Sequence, residues 1–201
     1  GAFACGWLAE RGFHVFGFDN ARPMLGHAKR RARGRIFQAD AAKFSLAPSF
    51  HGAFCLIDSF RYLLTDAQAM GFFESTATAL IPDGPMIMEL ELEAPGEPIA
   101  DTWTSTRGEL TANVTVVSER SAGEGLRWMD ATVVIRGPDG VREVRSSKRQ
   151  RVWHPDQLDR LLSASPFRLE QVWRRTQEDG TPLGGLPKNG GPVTLLMRRG
   201  P

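Results

Sequence analysis

Residues 13–25 read FHVFGFDNARPML, and the way this stretch changes character decides the fold. Phe13–Phe18 is a short apolar run rich in aromatics, as expected of a strand, and it stops at Asp19. Pro23 then suits the first turn of a helix, and Met24, Leu25, Ala28 and Ala32 follow on one apolar face. On the amino side, Ala2–Arg11 reads as a helix closed by Gly12. On the carboxyl side, Arg35–Gln38 is a short strand that runs into Asp40, and Ala53–Ile57 is nearly all apolar, as a strand covered on both faces should be. Thr65-Asp66-Ala67-Gln68 has the capping-box pattern, with Met70, Phe73, Ala77 and Leu80 behind it at helical spacing. The segment 82–85 (PDGP) stops that helix, and Met86–Leu92 is the next strand. The alternation of strand-like and helix-like patterns predicts an α/β fold with a mainly parallel sheet.

After residue 93 the pattern changes. Asn113–Glu119, Leu126–Arg136 and Val141–Trp153 are rich in Val, Thr, Ile and Trp and read as strands, the last two joined by the hairpin sequence Gly137-Pro138-Asp139-Gly140. This section reads as an antiparallel flap inserted into the α/β core. Pro155–Ala164 resumes as a helix, and Arg168–Arg174 and Pro192–Arg199 form a closing strand pair. The expected organisation is one domain, with 1–92 as its α/β part, 93–153 as the insertion and 154–201 as the closing helix and strands.

Composition narrows the function. With 41% hydrophobic and 24% charged residues the chain has the mixture of a soluble globular protein. A net charge of +2 gives no argument for nucleic acid, and the basic run at 29–35 reads as a helix end that complements its dipole. No stretch approaches the roughly 20 apolar residues of a membrane helix. Cys5 and Cys55 have no Cys or His at metal-ligand spacing, so no metal site is expected and a reducing, cytoplasmic setting fits.

The polar residues that follow the strands carry the chemistry, because open α/β sheets hold ligands at the carboxyl ends of their strands. Asp19 can accept from both hydroxyls of a ribose, and it can equally cap the helix after it. Asn20 and Met24 lie on the turn and helix start beyond, where an apolar side chain comes near an adenine. Asp40, followed by Ala41, can accept from an adenine amino group, and it can equally be a surface turn residue. Leu56, Ile57, Asp58, Arg61 and Tyr62 follow the next strand at the rim of the cleft. Asp58, Arg61 and Tyr62 can face a substrate there, and Tyr62 can equally be a packing residue with a wet hydroxyl.

Together these residues resemble the class I S-adenosylmethionine-dependent methyltransferases. The resemblance runs through Gly1-Ala2-Phe3-Ala4, Leu8–Gly12, Phe13–Leu25, Asp40, the segment CLIDSFRYLL (55–64) and IPDGPMIMELEL (81–92). It implies a Rossmann-like methyltransferase sheet with a closing antiparallel strand pair and an inserted β-flap. It also implies S-adenosylmethionine as cofactor and a small-molecule acceptor with an oxygen, nitrogen or carbon nucleophile. Gly1 becomes the last glycine of the cofactor loop; Asp19, Asn20, Met24, Asp40, Ala41, Leu56 and Ile57 become cofactor-binding residues. Asp58, Tyr62 and His154 are the candidate general bases, His154 being alternatively a helix-start residue. On this alignment the first strand is absent from the sequence. It is expected between the strands ending at Asp19 and Ile57, so the chain is expected to be a fragment that folds poorly and binds cofactor weakly. A nicotinamide-dependent oxidoreductase accounts for Asp19 but not for Asp40 or the CLIDS segment; a non-catalytic methyltransferase-fold module is the other alternative. In the flap, Trp128 and Trp153 can form an aromatic wall or pack in the core, and Arg145, Arg149 and Arg151 share one face by alternation. Arginine far outnumbers lysine, which associates with bacterial genomes rich in GC.

Overall fold

The computed structural model describes residues 2–31, 35–47, 49–93, 99–120, 125–177 and 179–201. Helix α1 (Ala2–Ala9) leads to β1 (Phe16–Asp19), α2 (Arg22–Arg31) and β2 (Arg35–Gln38). Strand β3 (Ala53–Cys55) is followed by a 3-10 turn at Ser59–Tyr62, then α3 (Asp66–Ala79) and β4 (Pro85–Leu92). The flap comprises β5 (Ile99–Arg107), β6 (Leu110–Arg120), β7 (Leu126–Gly137) and β8 (Gly140–Arg151). Helix α4 (Pro155–Ala164), β9 (Phe167–Arg174) and β10 (Gly191–Arg199) close the chain.

Local chemistry explains most of these boundaries. Gly12 takes a φ of +86°, the left-handed conformation that ends a helix without a Cβ penalty, and its N–H donates to the Ala9 carbonyl. At α3 the Thr65 hydroxyl accepts from the Gln68 N–H while the Gln68 side chain accepts from the Thr65 N–H. Each partner satisfies an orphan donor of the first turn, as the sequence pattern predicts.

The core sheet is in two pieces. β1 and β2 pair in parallel, with Asp19 opposite Gln38. The second piece has the order β3-β4-β10-β9, parallel between β3 and β4 and antiparallel beyond. Among the described residues, β1 pairs only with β2 and β3 pairs only with β4. Aromatic side chains join the pieces: Phe16 meets Phe50 edge-on with ring centroids 5.2 Å apart, and Phe18 lies 4.7 Å from Phe44. Phe50 is itself fixed to the second piece, since its carbonyl accepts from the Ile81 N–H.

Burial in β4 alternates with the pleat. Met86, Met88, Leu90 and Leu92 are buried beneath α3 and α4, alongside Phe72, Phe73, Leu158 and Leu162. Ile87, Glu89 and Glu91 occupy the other, less buried face. Trp153 was expected at the end of a flap strand. It lies outside β8, fully buried, with its ring 5.2 Å from Phe60, so it packs in the core and Trp128 stands exposed without it. Strand β3 is also shorter than expected, because Ile57 and Asp58 leave the extended conformation for left-handed φ values of 54° and 53°. β5 was not foreseen; its Thr- and Ser-rich sequence is polar on one face and gives little apolar signal.

The flap is a four-stranded antiparallel meander, and its strand register runs without a bulge. It is fastened to the core by charge. Buried Glu93, just past β4, accepts from the Arg61 Nη2 at 2.6 Å and pairs with Arg127 of β7, which is also buried. Arg151 of β8 adds a bond of 2.5 Å to Asp66 at the start of α3. Removing one member of a buried ion pair leaves its partner charged and desolvated, at a cost of about 3–5 kcal/mol. Glu93→Gln is therefore expected to lower stability by that amount in chemical denaturation, whereas Asp156→Asn, which breaks the exposed pair with Arg160, should leave the denaturation midpoint nearly unchanged.

Candidate active site

Asp19 and Asp40 arrive at the same end of adjacent, in-register parallel strands. Asp19 closes β1, and Asp40 follows the last residue of β2 by two positions. Both are fixed by the same local device, a carboxylate that accepts from the backbone N–H two residues on. Asp19 Oδ1 accepts from Ala21 at 2.8 Å, and Asp40 Oδ1 accepts from Ala42 at 2.9 Å. Gln38 secures the turn beyond Asp19, donating to the Asn20 carbonyl at 3.0 Å and accepting from Arg22 Nε at 3.3 Å. Met24, on the first turn of α2, is 53% exposed, and Ala41 packs against the core. Gly1 lies outside the described residues.

A glycine on α3 sets the position of the Asp40 loop. A Cβ at Gly71 would collide with the backbone carbonyl of Ala42, so the helix can lie this close only without one. Alanine is the better helix former by about 1 kcal/mol, yet here the clash is with backbone and cannot be relieved by a side-chain rotation. Gly71→Ala is expected to lower the melting temperature rather than raise it and to displace the Asp40 loop, which nuclear magnetic resonance shifts at Ala41 and Ala42 would report.

The end of β3 is built differently. Ile57 has a positive φ, which is unfavourable for a β-branched residue, by roughly 1–3 kcal/mol. Two bonds from β4 hold it there: the Ile57 N–H donates to Glu89 Oε2 at 2.9 Å, and Asp58 Oδ1 accepts from the Glu91 N–H at 2.5 Å. The Ser59 hydroxyl donates to the Leu56 carbonyl at 2.8 Å. The result is an isoleucine side chain 69% exposed at the strand ends, with Leu56 half-buried beside it.

The three candidate bases do not meet through any contact among the described residues. Asp58 is engaged with the β4 backbone. Tyr62 is exposed on the 3-10 turn, with the Lys148 ammonium 5.7 Å from its ring centre. His154 stands at the start of α4, where Nδ1 lies 3.0 Å from the Glu93 carbonyl and its N–H meets Gln157. The Arg145, Arg149 and Arg151 side chains each have a local partner, namely Glu143, the Trp128 ring, and Asp66 with Trp153.

Sequence reasoning missed Glu89 and Glu91. The alternation in Met-Glu-Leu-Glu-Leu (88–92) was the available signal, because a strand covered equally on both faces has no place for acids on alternate positions. Arg175 lies 3.8 Å from both carboxylates. The Glu91 carboxyl is pushed above its ordinary 4.5, first by burial and then by Asp58, against the opposing pull of Arg175. Burial likewise pushes the Cys55 thiol up to about 12. A surface recess of about 360 Å³ lined by Glu74, Thr78, Arg199 and neighbours sits at the amino end of β4, away from these residues. Among the described residues no three His, Cys, Asp or Glu side chains gather as metal ligands, and no helix is long and apolar enough to cross a membrane.

A raised native pKa means the native state holds the proton more tightly than the unfolded chain. Glu91 therefore contributes stability that is full below 4.5 and is lost as the pH rises through its native value. Glu91→Gln should remove this dependence: denaturation midpoints of variant and parent should converge near pH 4, with the variant the more stable at pH 8.

The strand order β2-β1 and β3-β4-β10-β9, the parallel pairs, the closing antiparallel strands and the inserted flap are those of the Rossmann-like methyltransferase fold. No family model matches the chain. It is similar, at 29% identity over 170 residues, to the dTDP-3-amino-3,6-dideoxy-alpha-D-glucopyranose N,N-dimethyltransferase of Streptomyces fradiae. That match takes in 81% of this chain and 65% of the relative, so the chain spans just under two thirds of that protein's length. Among solved structures, it superposes with a TM-score of 0.73 on CalS10, an amino pentose methyltransferase from Micromonospora echinaspora, over 96% of this chain and 76% of that one, at 20% identity. DesVI of Streptomyces venezuelae gives 0.74 over 92% and 74%, also at 20% identity.

Proposed function

We propose that this chain supplies the cofactor-binding and acceptor-binding elements of an S-adenosylmethionine-dependent methyltransferase whose acceptor is the amino group of a small, nucleotide-linked sugar. The observation that carries the reading is the pair Asp19 and Asp40, fixed by matching turns at the carboxyl ends of neighbouring parallel strands. The names of the Streptomyces fradiae and Micromonospora relatives, both enzymes of amino sugars, support the acceptor class.

The donor set fits the cofactor. Asp19 has a second carboxylate oxygen for ribose hydroxyls, and Asp40 has one for an adenine amino group. Met24 and Ile57 offer apolar surface on either side, with Asn20, Ala41 and Leu56 contributing backbone. When bound, the cofactor supplies an already activated methyl group. The protein's work is then to hold an acceptor nitrogen in line and to shield it from water. Tyr62, open to solvent on the rim, is the residue placed to meet the acceptor. Asp58 and His154 are positioning residues, the first through the turn after β3 and the second through the base of the flap. Residues 1–92 and 154–201 form one domain with 93–153 as its insertion, and a bacterial cytoplasm is the setting that fits this chemistry.

Calorimetry with S-adenosylhomocysteine tests the reading. Binding should weaken by about 10- to 100-fold in Asp19→Ala, as expected for the loss of charge-assisted hydrogen bonds, and by a smaller factor in Asp40→Ala. NADH should not compete. Binding of NADH in preference, or an Asp19→Ala variant with unchanged affinity, would overturn it.

A further inference from the structure

The less buried face of β4 ends in two acids, Glu89 and Glu91, beside the turn that follows β3. They are used differently. The Glu89 carboxylate works within the protein, accepting from the Ile57 N–H at 2.9 Å. Asp58 does so as well, since its Oδ1 accepts from the N–H of Glu91 itself. The Glu91 carboxylate, in contrast, accepts no hydrogen bond among the described residues. Its neighbour across the ladder on β10 is Pro192, which has no N–H to offer.

Arg175 attracts this carboxylate without bonding to it. Its N–H donates to the Pro192 carbonyl at 3.0 Å, and its guanidinium lies 3.8 Å from both Glu89 and Glu91. At that distance there is Coulomb attraction but no hydrogen bond. Asp58 adds a further negative charge close enough to act on Glu91. Arg61 and Arg127, the other cations that act on Glu91, are tied to Glu93. These residues together carry one more negative charge than their guanidiniums match.

A buried donor points the same way. The Arg127 side chain is only 4% exposed, yet its Nε has no hydrogen-bond partner among the described residues. Its charge acts on both Asp58 and Glu91. Buried donors without an acceptor are rare in native proteins. A ligand that brings a cation to the carboxylates and an oxygen to the guanidinium suits both. An amino sugar, whose amine is flanked by hydroxyls, has this pair of groups.

Resting on the acceptor class proposed above, we infer that Glu91 receives the nitrogen to be methylated, pairing with the entering ammonium and taking its proton. The N–H bond breaks with its electrons left on nitrogen, and the proton passes to a Glu91 carboxylate oxygen. The nitrogen pair then forms the bond to the methyl carbon as the carbon–sulfur bond breaks, its electrons staying on sulfur. The side chain of Glu91 is 24% exposed, which lets its proton leave to water afterwards. Burial and the nearby Asp58 make this carboxylate a better proton acceptor than a free one. A hydroxyl acceptor brings no cation, so the same charge selects amine over alcohol.

Calorimetry and methyl-transfer rates test this, with circular dichroism to verify that each variant folds. The probes are dTDP-3-amino-3,6-dideoxyglucose and dTDP-6-deoxyglucose, which differ only in amine against hydroxyl. Loaded with S-adenosylhomocysteine, the parent should bind the amine about 10-fold or more tightly than the alcohol. Glu91→Gln, which keeps the shape and removes the charge, should abolish that preference without changing affinity for S-adenosylhomocysteine. It should also lower kcat for the amine by about 100-fold or more. The parent's rate should fall as the pH drops through the native value of Glu91. The rate of Glu91→Gln should recover only where the amine loses its proton to solvent. Glu91→Asp should retain part of the preference. A parent that binds both probes equally, or a Glu91→Gln variant with the parent's preference and pH profile, would overturn the inference and leave the methyltransferase reading standing. Binding of neither probe to a chain that binds S-adenosylhomocysteine would overturn the acceptor class and the inference with it.

Discussion

One buried carboxylate, Glu93, ties the two halves of this structure together. It stands where the core strand β4 hands over to the flap, and it meets Arg61 from the turn after β3 and Arg127 from the flap. All three side chains are buried, and Arg127 Nε has no hydrogen-bond partner among the described residues. Burial, followed by the neighbouring Arg61, lowers the Arg127 guanidinium to about 10. A hydrophobic cluster in the same place would hold as well or better, since desolvating ions offsets most of their attraction. What the charges provide is direction. A carboxylate between two guanidiniums accepts only certain approach angles, and those angles fix how β7 and β8 leave the core. The backbone repeats the constraint at the same point, where the Glu93 N–H donates to the Trp153 carbonyl at 2.9 Å.

From that junction the strand ends are organised by short-range bonds. Asp19 and Asp40 are each held by an N–H two residues away, so their orientation is a property of the turn and needs no distant support. Ile57 and Asp58 are the opposite case. Their left-handed backbone persists because Glu89 and the Glu91 N–H reach across from β4. Strain kept in place by specific bonds beside an exposed apolar side chain is the kind of arrangement that accumulates at binding sites.

The sequence made much of this visible, for physical reasons. Alternation of strand and helix patterns, the capping box at Thr65 and the Gly137–Gly140 hairpin depend on neighbours in the chain, and all three are seen in the structure. The carboxylates at the ends of β1 and β2 were legible for the same reason: a charged residue ending an apolar run marks where a strand meets water. What stayed hidden depends on contacts between distant residues. Trp153 looked like flap until Phe60 was seen against it, across more than ninety positions. The Arg61–Glu93–Arg127 cluster has no local signature, and nothing beside Gly71 in the sequence signals that the Ala42 carbonyl lies against it. The strand β5 was missed because six of its nine residues are polar or charged.

The two pieces of the core sheet are rigid within themselves, being laced by backbone bonds, yet they touch each other through phenylalanine rings. The seam at Phe16–Phe50 and Phe18–Phe44 is therefore built from ring contacts and not from backbone bonds. The span from Asp19 to Ile57 crosses that seam. Its width is thus governed by the thickness and tilt of aromatic rings, and a change as small as Phe50→Leu would re-space the two banks of the cleft without touching a single residue that lines it.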